Sequence, residues 1–116
     1  RRVLFRSSER VERLTSMGVN DIIIDPGFGF SKTLDDNYLL MNRLEEFTVF
    51  GFPLLVGVSR KSMIYKYFGT TPAESLTGTT VLNTLALSKG AGILRVHDVK
   101  EAVEAVKLVQ KTFSSR

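Results

Sequence analysis

Three short segments of the sequence combine residue types that could do chemistry. The first begins at Asp25 and continues Pro-Gly-Phe-Gly-Phe, so a carboxylate stands beside flexible backbone. A carboxylate in this position can accept paired N–H bonds from the edge of a flat amino-heterocycle. The alternative is that Asp25 only caps the turn, while Gly27 and Gly29 supply positive φ angles.

The second segment, Gly-Val-Ser-Arg-Lys-Ser from Gly57, contains two cations and two hydroxyls between a predicted strand and a predicted helix. The N–H groups at a helix start also favour anions. Lys61 can donate to ring atoms or to an acid, and Arg60 can stack or bind a carboxylate as a fork. A solvated basic turn is the alternative. The glycine-to-glycine-lysine frame of a nucleotide-binding P-loop is absent.

The third segment is Arg-Val-His-Asp from Arg95. Alternation in an extended segment places Arg95 and His97 on the same side, where they could bind a pyrophosphate. The alternative is that His97 packs or caps locally and Arg95 makes an ordinary ion pair. Asp98, with Glu101 three residues later, predicts a cap for the last helix. The Gly-x-Ser-x-Gly turn of a serine hydrolase is absent.

Alternating strands and helices are predicted to carry these segments. Short apolar runs at 21–25, 53–58 and 92–96 are typical of strands buried in a parallel sheet. Helices are predicted at 8–17, 35–47, 63–68, 71–89 and 98–113, the fourth opened by a capping box at Thr71. This order indicates parallel βαβ units, whose ligands bind at the carboxyl ends of the strands. All three segments lie there, which favours one shared site.

Two groups of apolar residues are predicted to be buried. Spacing along the last helix assigns its buried face to Val99, Val103, Val106 and Phe113. An aromatic group at helical spacing is predicted to lie in the core rather than on a binding surface: Tyr38, Tyr65, Tyr67 and Phe68.

Composition narrows the function classes further. The 116 residues suffice for one small domain, and the absence of cysteine excludes disulfides, Cys-ligated zinc and thiol nucleophiles. The single histidine excludes a His-rich metal site, and no apolar run approaches the roughly 18 residues of a membrane span. The net charge of +4 fits either a solvated basic surface or an anionic small-molecule ligand. Scattered basic residues without interleaved aromatics argue against nucleic acid.

In order and spacing, the motifs at Asp25, Gly57 and Arg95 closely resemble the carboxyl-terminal half of the dihydropteroate synthase family, over residues 9–113. Related pterin-binding methyltransferases share a similar aspartate, but the Ser-Arg-Lys-Ser element is similar to the synthases. The resemblance implies an α/β fold: the carboxyl-terminal fragment of a (β/α)₈ TIM barrel, with about three parallel strands alternating with helices. Residues 8–116 would then be a partial pterin-binding domain. Residues 1–7 are interpreted as a non-native or truncated leader without structure.

The resemblance also implies an activity. These transferases join 6-hydroxymethyl-7,8-dihydropterin diphosphate to 4-aminobenzoate, giving 7,8-dihydropteroate and pyrophosphate in folate biosynthesis. Residues matching the family's catalytic positions are Lys61, Arg95 and His97. Asp25 and Lys61 would hold the pterin ring.

The remaining matched positions complete the implied substrate site. Gly29 and Phe30 would border the pterin pocket. Arg60 and Ser62 would lie near the aminobenzoate, where sulfonamides compete. Arg95 and His97 would bind the diphosphate, and Ser59 would have a supporting role.

The resemblance implies a Mg²⁺ cofactor whose main protein ligand belongs to the amino-terminal part of the family's barrel, with no metal ligand in this chain. It also implies a homodimeric, cytoplasmic full-length enzyme that binds small molecules rather than nucleic acid or membranes. By itself the fragment is expected to be inactive. The alternatives are a non-catalytic pterin- or anion-binding module and an inert barrel fragment with exposed strand edges.

Overall fold

The computed structural model of the chain describes residues 2–29 and 32–115. Within these residues, seven regular elements follow one another: α1 (Arg2–Ser16), α2 (Leu34–Asn42), β1 (Leu55–Val56), α3 (Ser62–Phe68), α4 (Leu76–Ser88), β2 (Ile93–Leu94) and α5 (Val99–Ser114). Two 3₁₀ helices, Leu44–Phe50 and Pro72–Glu74, lie after α2 and before α4. None of the described helices is both long and apolar enough to cross a membrane.

A small parallel sheet organises the chain. β1 and β2 pair in parallel, with Leu55 opposite Ile93 and Val56 opposite Leu94. Beside β1, Ile24 forms a single parallel bridge to Leu54. The parallel pairing and its order are therefore as predicted, but the first of the three predicted strands is reduced to that bridge. Two hydrogen bonds hold it, and residues 21–23 add none to the described ladder.

The core lies between this sheet and the helices packed on it. Alternate residues of the β1 segment, Leu54, Val56 and Val58, are almost completely buried. They pack with Met63 and Ile64 of α3, and Leu82 and Ala86 of α4 belong to the same cluster. Burying one such side chain contributes about 1.5–3 kcal/mol to folding. The buried residues therefore hold the strands in place, and with them the positions of the strands' carboxyl ends.

Helix ends follow the predicted signals only in part. Gly69 ends α3 in the left-handed conformation, as predicted. The predicted helix over 35–47 is instead α2 followed by a 3₁₀ helix, and α2 begins at a capping box formed by Thr33 and Asp36. The capping box expected at Thr71 is wrong, because its hydroxyl donates to the Glu74 carboxylate at 3.1 Å instead of accepting from backbone.

The expectation that residues 1–7 lack structure is also wrong. α1 begins at Arg2 rather than near Ser8, and Leu4 and Val11 pack against the core. A seven-residue separation places these two side chains on one face of the helix. The first turns of α1 therefore have an apolar face that packs on the core. The non-native origin of the segment stays a prediction, and Arg1 lies outside the described residues.

Both predicted groups of buried residues need correction. In α5 the buried residues are Ala102 and Ala105, whereas Val99, Val103 and Phe113 are exposed and Val106 is half-buried. Small side chains let α5 approach α4 closely, so the larger residues turn outward.

The aromatic group is likewise only partly buried. Tyr67 and Phe68 are both 65% exposed, and Tyr65 is half-buried. Tyr38 is half-buried and donates its hydroxyl to the Met63 carbonyl at 2.6 Å. Burial, followed by the neighbouring Tyr67, raises the pKa of Tyr38. These rings therefore tie α2 to α3 at the surface rather than filling the core.

Candidate functional site

Three loops meet at the carboxyl ends of the parallel segments. The first loop is residues 25–29, the second is 57–61 and the third is 95–98. Lys61 Nζ of the second loop donates to the Phe28 carbonyl of the first at 2.7 Å. Ser59 Oγ lies 2.7 Å from His97 Nδ1, which joins the second and third loops. Each of these contacts spans more than thirty residues of sequence, so the fold has brought the loops together.

An ion pair joins the first and third loops. Arg95 Nη2 lies 3.7 Å from Asp25 Oδ2, and both side chains are more than one third exposed. This pair is the ordinary ion pair left open as an alternative for Arg95. It leaves a carboxylate and a guanidinium side by side at the solvent-accessible edge of the site.

The first loop is held from inside. Asp25 Oδ1 accepts from the Gly27 N–H at 2.9 Å, so Asp25 also caps the turn, as the alternative interpretation allowed. The Gly29 N–H donates to Asn37 Oδ1 at 2.8 Å, and Asn37 Nδ2 donates to the Thr33 carbonyl at 3.0 Å. Asn37 is buried and was not singled out from the sequence. The sequence signal that could have identified Asn37 is a polar amide side chain among the apolar residues of α2. Phe30, predicted to border the same pocket, lies outside the described residues.

Glycine at position 29 makes room for the lysine stem. Gly29 has φ +88°, and a Cβ added there would lie 3.2 Å from Lys61 Cδ. Only a residue without a side chain therefore suits both the backbone conformation and the passage of Lys61.

Positive charge dominates the centre of the site. Burial is the main cause that lowers the pKa of Lys61; the nearby Asp25 acts in the opposite direction, while Arg95 and Lys32 lower it further. Lys32 Nζ also donates to the Gly27 carbonyl at 2.8 Å. Three cations around one carboxylate leave an excess of positive charge, which suits an anionic ligand.

Arg60 occupies an unusual position. Its backbone has φ 55°, the left-handed region, where no other described non-glycine residue lies. Its N–H donates to the hydroxyl of the buried Thr79 at 3.0 Å. The guanidinium binds Asp98 as a fork, through Nε at 3.1 Å and Nη2 at 2.7 Å, and Nη1 donates to the Pro72 carbonyl at 3.3 Å.

The Arg60–Asp98 pair changes two sequence interpretations. Asp98 occupies the N-cap position of α5, as predicted, but its side chain makes no cap hydrogen bond. Its hydrogen bond to Arg60 instead lowers the pKa of Asp98 and raises that of Arg60. The carboxylate that Arg60 binds is thus one within the chain, and a contact with aminobenzoate stays a prediction.

Ser59 and His97 are linked twice. Besides the contact to Nδ1, the His97 backbone N–H donates to Ser59 Oγ at 3.2 Å. Ser59 is buried, whereas His97 is exposed. Ser62, which begins α3, is half-buried near the same loop. The family resemblance implied a supporting role for Ser59 without indicating that His97 is its partner.

No cluster of three or more His, Asp or Glu side chains that could hold a metal ion occurs among residues 2–29 and 32–115. Asp25 is engaged with Gly27 and Arg95. These residues do not by themselves form a magnesium site.

Comparisons with known proteins point in one direction. The profile of the pterin binding enzymes matches residues 1–97. The dihydropteroate synthase of Escherichia coli K12 is 46% identical over 110 residues, which cover 93% of this chain and 39% of that protein. The solved DHPS of Yersinia pestis with a pterine-sulfa conjugate has a TM-score of 0.91 at 40% identity, covering 97% of this chain and 45% of its own. The dihydropteroate synthase of Thermus thermophilus in complex with 4-aminobenzoate has a TM-score of 0.89 at 37% identity, covering 97% and 46%. The chain thus spans about two fifths of the length of the curated relatives it matches.

Proposed function

Since the chain belongs to the pterin binding enzyme family, we propose that it is the carboxyl-terminal part of a (β/α)₈-barrel dihydropteroate synthase. The complete enzyme joins 6-hydroxymethyl-7,8-dihydropterin diphosphate to 4-aminobenzoate and releases pyrophosphate. One observation carries this proposal: the three loops that bear the family-like motifs contact one another through Lys61, Arg95 and His97. The sulfonamide, pterin and 4-aminobenzoate complexes of its structural relatives support the same ligand classes.

The pterin ring is assigned to Asp25 and Lys61. Asp25 Oδ2 faces the site and can accept N–H bonds from the amino edge of the ring, while Oδ1 is kept by Gly27. Lys61 Nζ donates to the Phe28 carbonyl at the edge of the first loop, and an ammonium group can donate in the same way to acceptors of the ring. Both groups already lie at the site, and a bound ring would replace some of their partners within the chain.

The leaving diphosphate is assigned to Arg95 and His97. During the reaction the bond between the pterin methylene carbon and the diphosphate oxygen breaks, and the electron pair leaves with the oxygen. The amine nitrogen of 4-aminobenzoate forms the new C–N bond and loses a proton to solvent. Hydrogen-bond donors placed at the departing oxygens stabilise the charge that develops there. The exposed positions of Arg95 and His97 suit contact with a group that must leave.

The aminobenzoate is assigned to the start of α3, where Ser62 offers a hydroxyl and backbone N–H. Arg60 contributes by fixing the loop, because all three of its guanidinium nitrogens have partners within the chain. Magnesium remains part of the proposal only as a group whose ligands come from elsewhere in the complete enzyme.

A homodimer and a cytoplasmic location complete the proposal for the full-length enzyme. The exposed apolar side chains Val99, Val103 and Phe113, whose spacing places them on one face of α5, support a subunit interface on this helix. Exposed apolar patches of this kind are typical of protein–protein contacts.

A second candidate function concerns the chain by itself. Because it spans 39% of the Escherichia coli relative, a non-catalytic pterin- or anion-binding module, or an inert fragment, is the alternative. The single bridge at Ile24 and the exposed Ile23 beside it favour this alternative for the isolated chain.

A chimera tests the proposal. In it, the part of the Escherichia coli synthase that precedes the matched region is joined to the whole 116-residue chain, so that α1 is kept intact. We expect pyrophosphate release that requires both the pterin diphosphate and 4-aminobenzoate, with magnesium present. The isolated chain and an Asp25→Asn chimera are the controls, and both should be inactive or severely impaired. A chimera that folds by circular dichroism, binds pterin and yet releases no pyrophosphate would contradict the proposal.

A further inference from the structure

We propose that Ser59 is a positioning residue that holds neutral His97 as the tautomer protonated at Nε2. A neutral imidazole carries one proton, and the partner of the other nitrogen decides where that proton sits. In this chain the partner is the buried hydroxyl of Ser59, 2.7 Å from Nδ1.

The hydrogen-bond inventory of Ser59 sets the direction of this bond. Its Oγ already accepts the His97 backbone N–H at 3.2 Å. A hydroxyl has a single hydrogen to donate. Among the described residues, His97 Nδ1 is the one acceptor recorded for that hydrogen. If Nδ1 instead carried a proton, the Ser59 hydrogen would be buried without an acceptor, an arrangement that folded proteins avoid.

The consequence lies at the opposite edge of the ring. With Nδ1 accepting from Ser59, the proton of the neutral ring is on Nε2, which points away from the buried serine. Nε2 has no hydrogen-bond partner among the described residues, and His97 as a whole is exposed. His97 therefore presents one N–H donor outward and cannot serve as a base at that edge.

The functional role of this tautomer rests on the proposed function, in which an Nε2–H donor would bind the departing diphosphate. Two-point attachment, through the backbone N–H and through Nδ1, also fixes the ring plane. The third loop thereby receives its orientation from a residue of the second loop.

The sequence contains one histidine, so the nitrogen spectrum of the labelled 116-residue chain reports on His97 alone. Spectra are recorded near pH 8 on the neutral ring that the proposal concerns. Magic-angle spinning is used if the chain sediments. We expect Nδ1 to have the shift of an unprotonated nitrogen and Nε2 that of an N–H. A spectrum of the Nδ1–H tautomer, or an averaged spectrum of both, in the unaltered chain overturns the proposal.

Three variants locate the cause. Ser59→Ala should lower the ratio of the two tautomers by about fivefold, the effect of one ordinary hydrogen bond, and Ser59→Thr should restore it. Ser88→Ala is the control, because Ser88 lies in α4 and its hydroxyl donates to the Leu85 carbonyl, outside the three loops. Its spectrum should match the unaltered chain. A Ser59→Ala chain that keeps the single tautomer refutes the role of Ser59.

Inorganic pyrophosphate separates this inference from the proposed function. Its addition should shift the Nε2 signal and leave Nδ1 nearly unchanged. The expected tautomer without a response to pyrophosphate supports the inference and counts against a diphosphate site at His97. A response that appears at Nδ1 overturns the inference, because that nitrogen would then face the ligand.

Discussion

Lys61 and Arg95 should fail in different ways when each is replaced by alanine in the chimera. Lys61 Nζ lies 2.7 Å from the Phe28 carbonyl of the first loop, which is assigned to the pterin, and its stem lies against Gly29. A charge-assisted hydrogen bond from such a group contributes about 1.5–3 kcal/mol. Lys61→Ala should therefore weaken the binding of a pterin without diphosphate by about 10- to 150-fold.

Arg95 should matter little for the same ligand. Its side chain is 63% exposed, and its nitrogen lies 3.7 Å from Asp25, beyond hydrogen-bond distance. An exposed ion pair of this kind contributes about 0–1 kcal/mol, so Arg95→Ala should change bare-pterin affinity by no more than about fivefold. Turnover should fall at least tenfold, because the donor proposed for the departing diphosphate is lost.

Calorimetry with the diphosphate-free pterin, beside turnover assays, separates the two effects. Lys66→Ala is the matched control, since Lys66 lies in the last turn of α3 and is exposed. It should leave both measurements unchanged. If Arg95→Ala loses bare-pterin affinity as severely as Lys61→Ala does, the division of roles between the second and third loops is wrong.

The isolated chain should show no dihydropteroate formation in a coupled assay with magnesium; measurable turnover would refute the proposed need for the rest of the barrel. It should also associate at roughly tens of micromolar, through open strand edges and exposed apolar side chains such as Ile23; a compact monomer in sedimentation would contradict this. The free energy of unfolding of the chimera should rise with pH between the lowered pKa of Lys61 and its unfolded value of 10.5. In this range the unfolded chain binds more protons than the folded chain. Denaturation of a Lys61→Met chimera should not show this rise. Gly78→Ala should destabilise the chimera by about 1 kcal/mol, since its Cβ would meet Ile64 of α3; Gly92→Ala, with nothing nearby, is the control.

Local signals predicted the elements that depend on local physics. The end of α3 at Gly69 follows from a left-handed glycine. The parallel pairing of 54–56 with 92–94 follows from short apolar runs separated by helices. Family-like motifs located the loops that meet. What the sequence could not supply was the face on which an amphipathic helix packs when alanine and valine both recur along it, as they do in α5.

The errors in the site arose from partners far away in sequence. Asp98 has every local feature of a helix cap, yet Arg60, 38 residues earlier, takes its carboxylate. A forked, charge-assisted pair is stronger than one cap hydrogen bond to backbone, so the distant partner prevails. Asn37 was overlooked because its neighbours in sequence are apolar and suggest only a core helix. Its role is to accept a hydrogen bond from the N–H of Gly29, eight residues earlier.

The contacts among the loops differ in kind, and that difference bears on function. The second and third loops are joined by Ser59 to His97 and by Arg60 to Asp98, contacts that ligand binding does not need to break. The first loop is joined to the others through Lys61 and Asp25, the two groups assigned to the pterin ring. A ligand that recruits these groups must compete with the Phe28 carbonyl and with Arg95. His97, which is assigned to the diphosphate, is thus held in place before binding, whereas the groups assigned to the pterin exchange internal partners for the ligand. Structural adjustment on binding should therefore concentrate in residues 25–29.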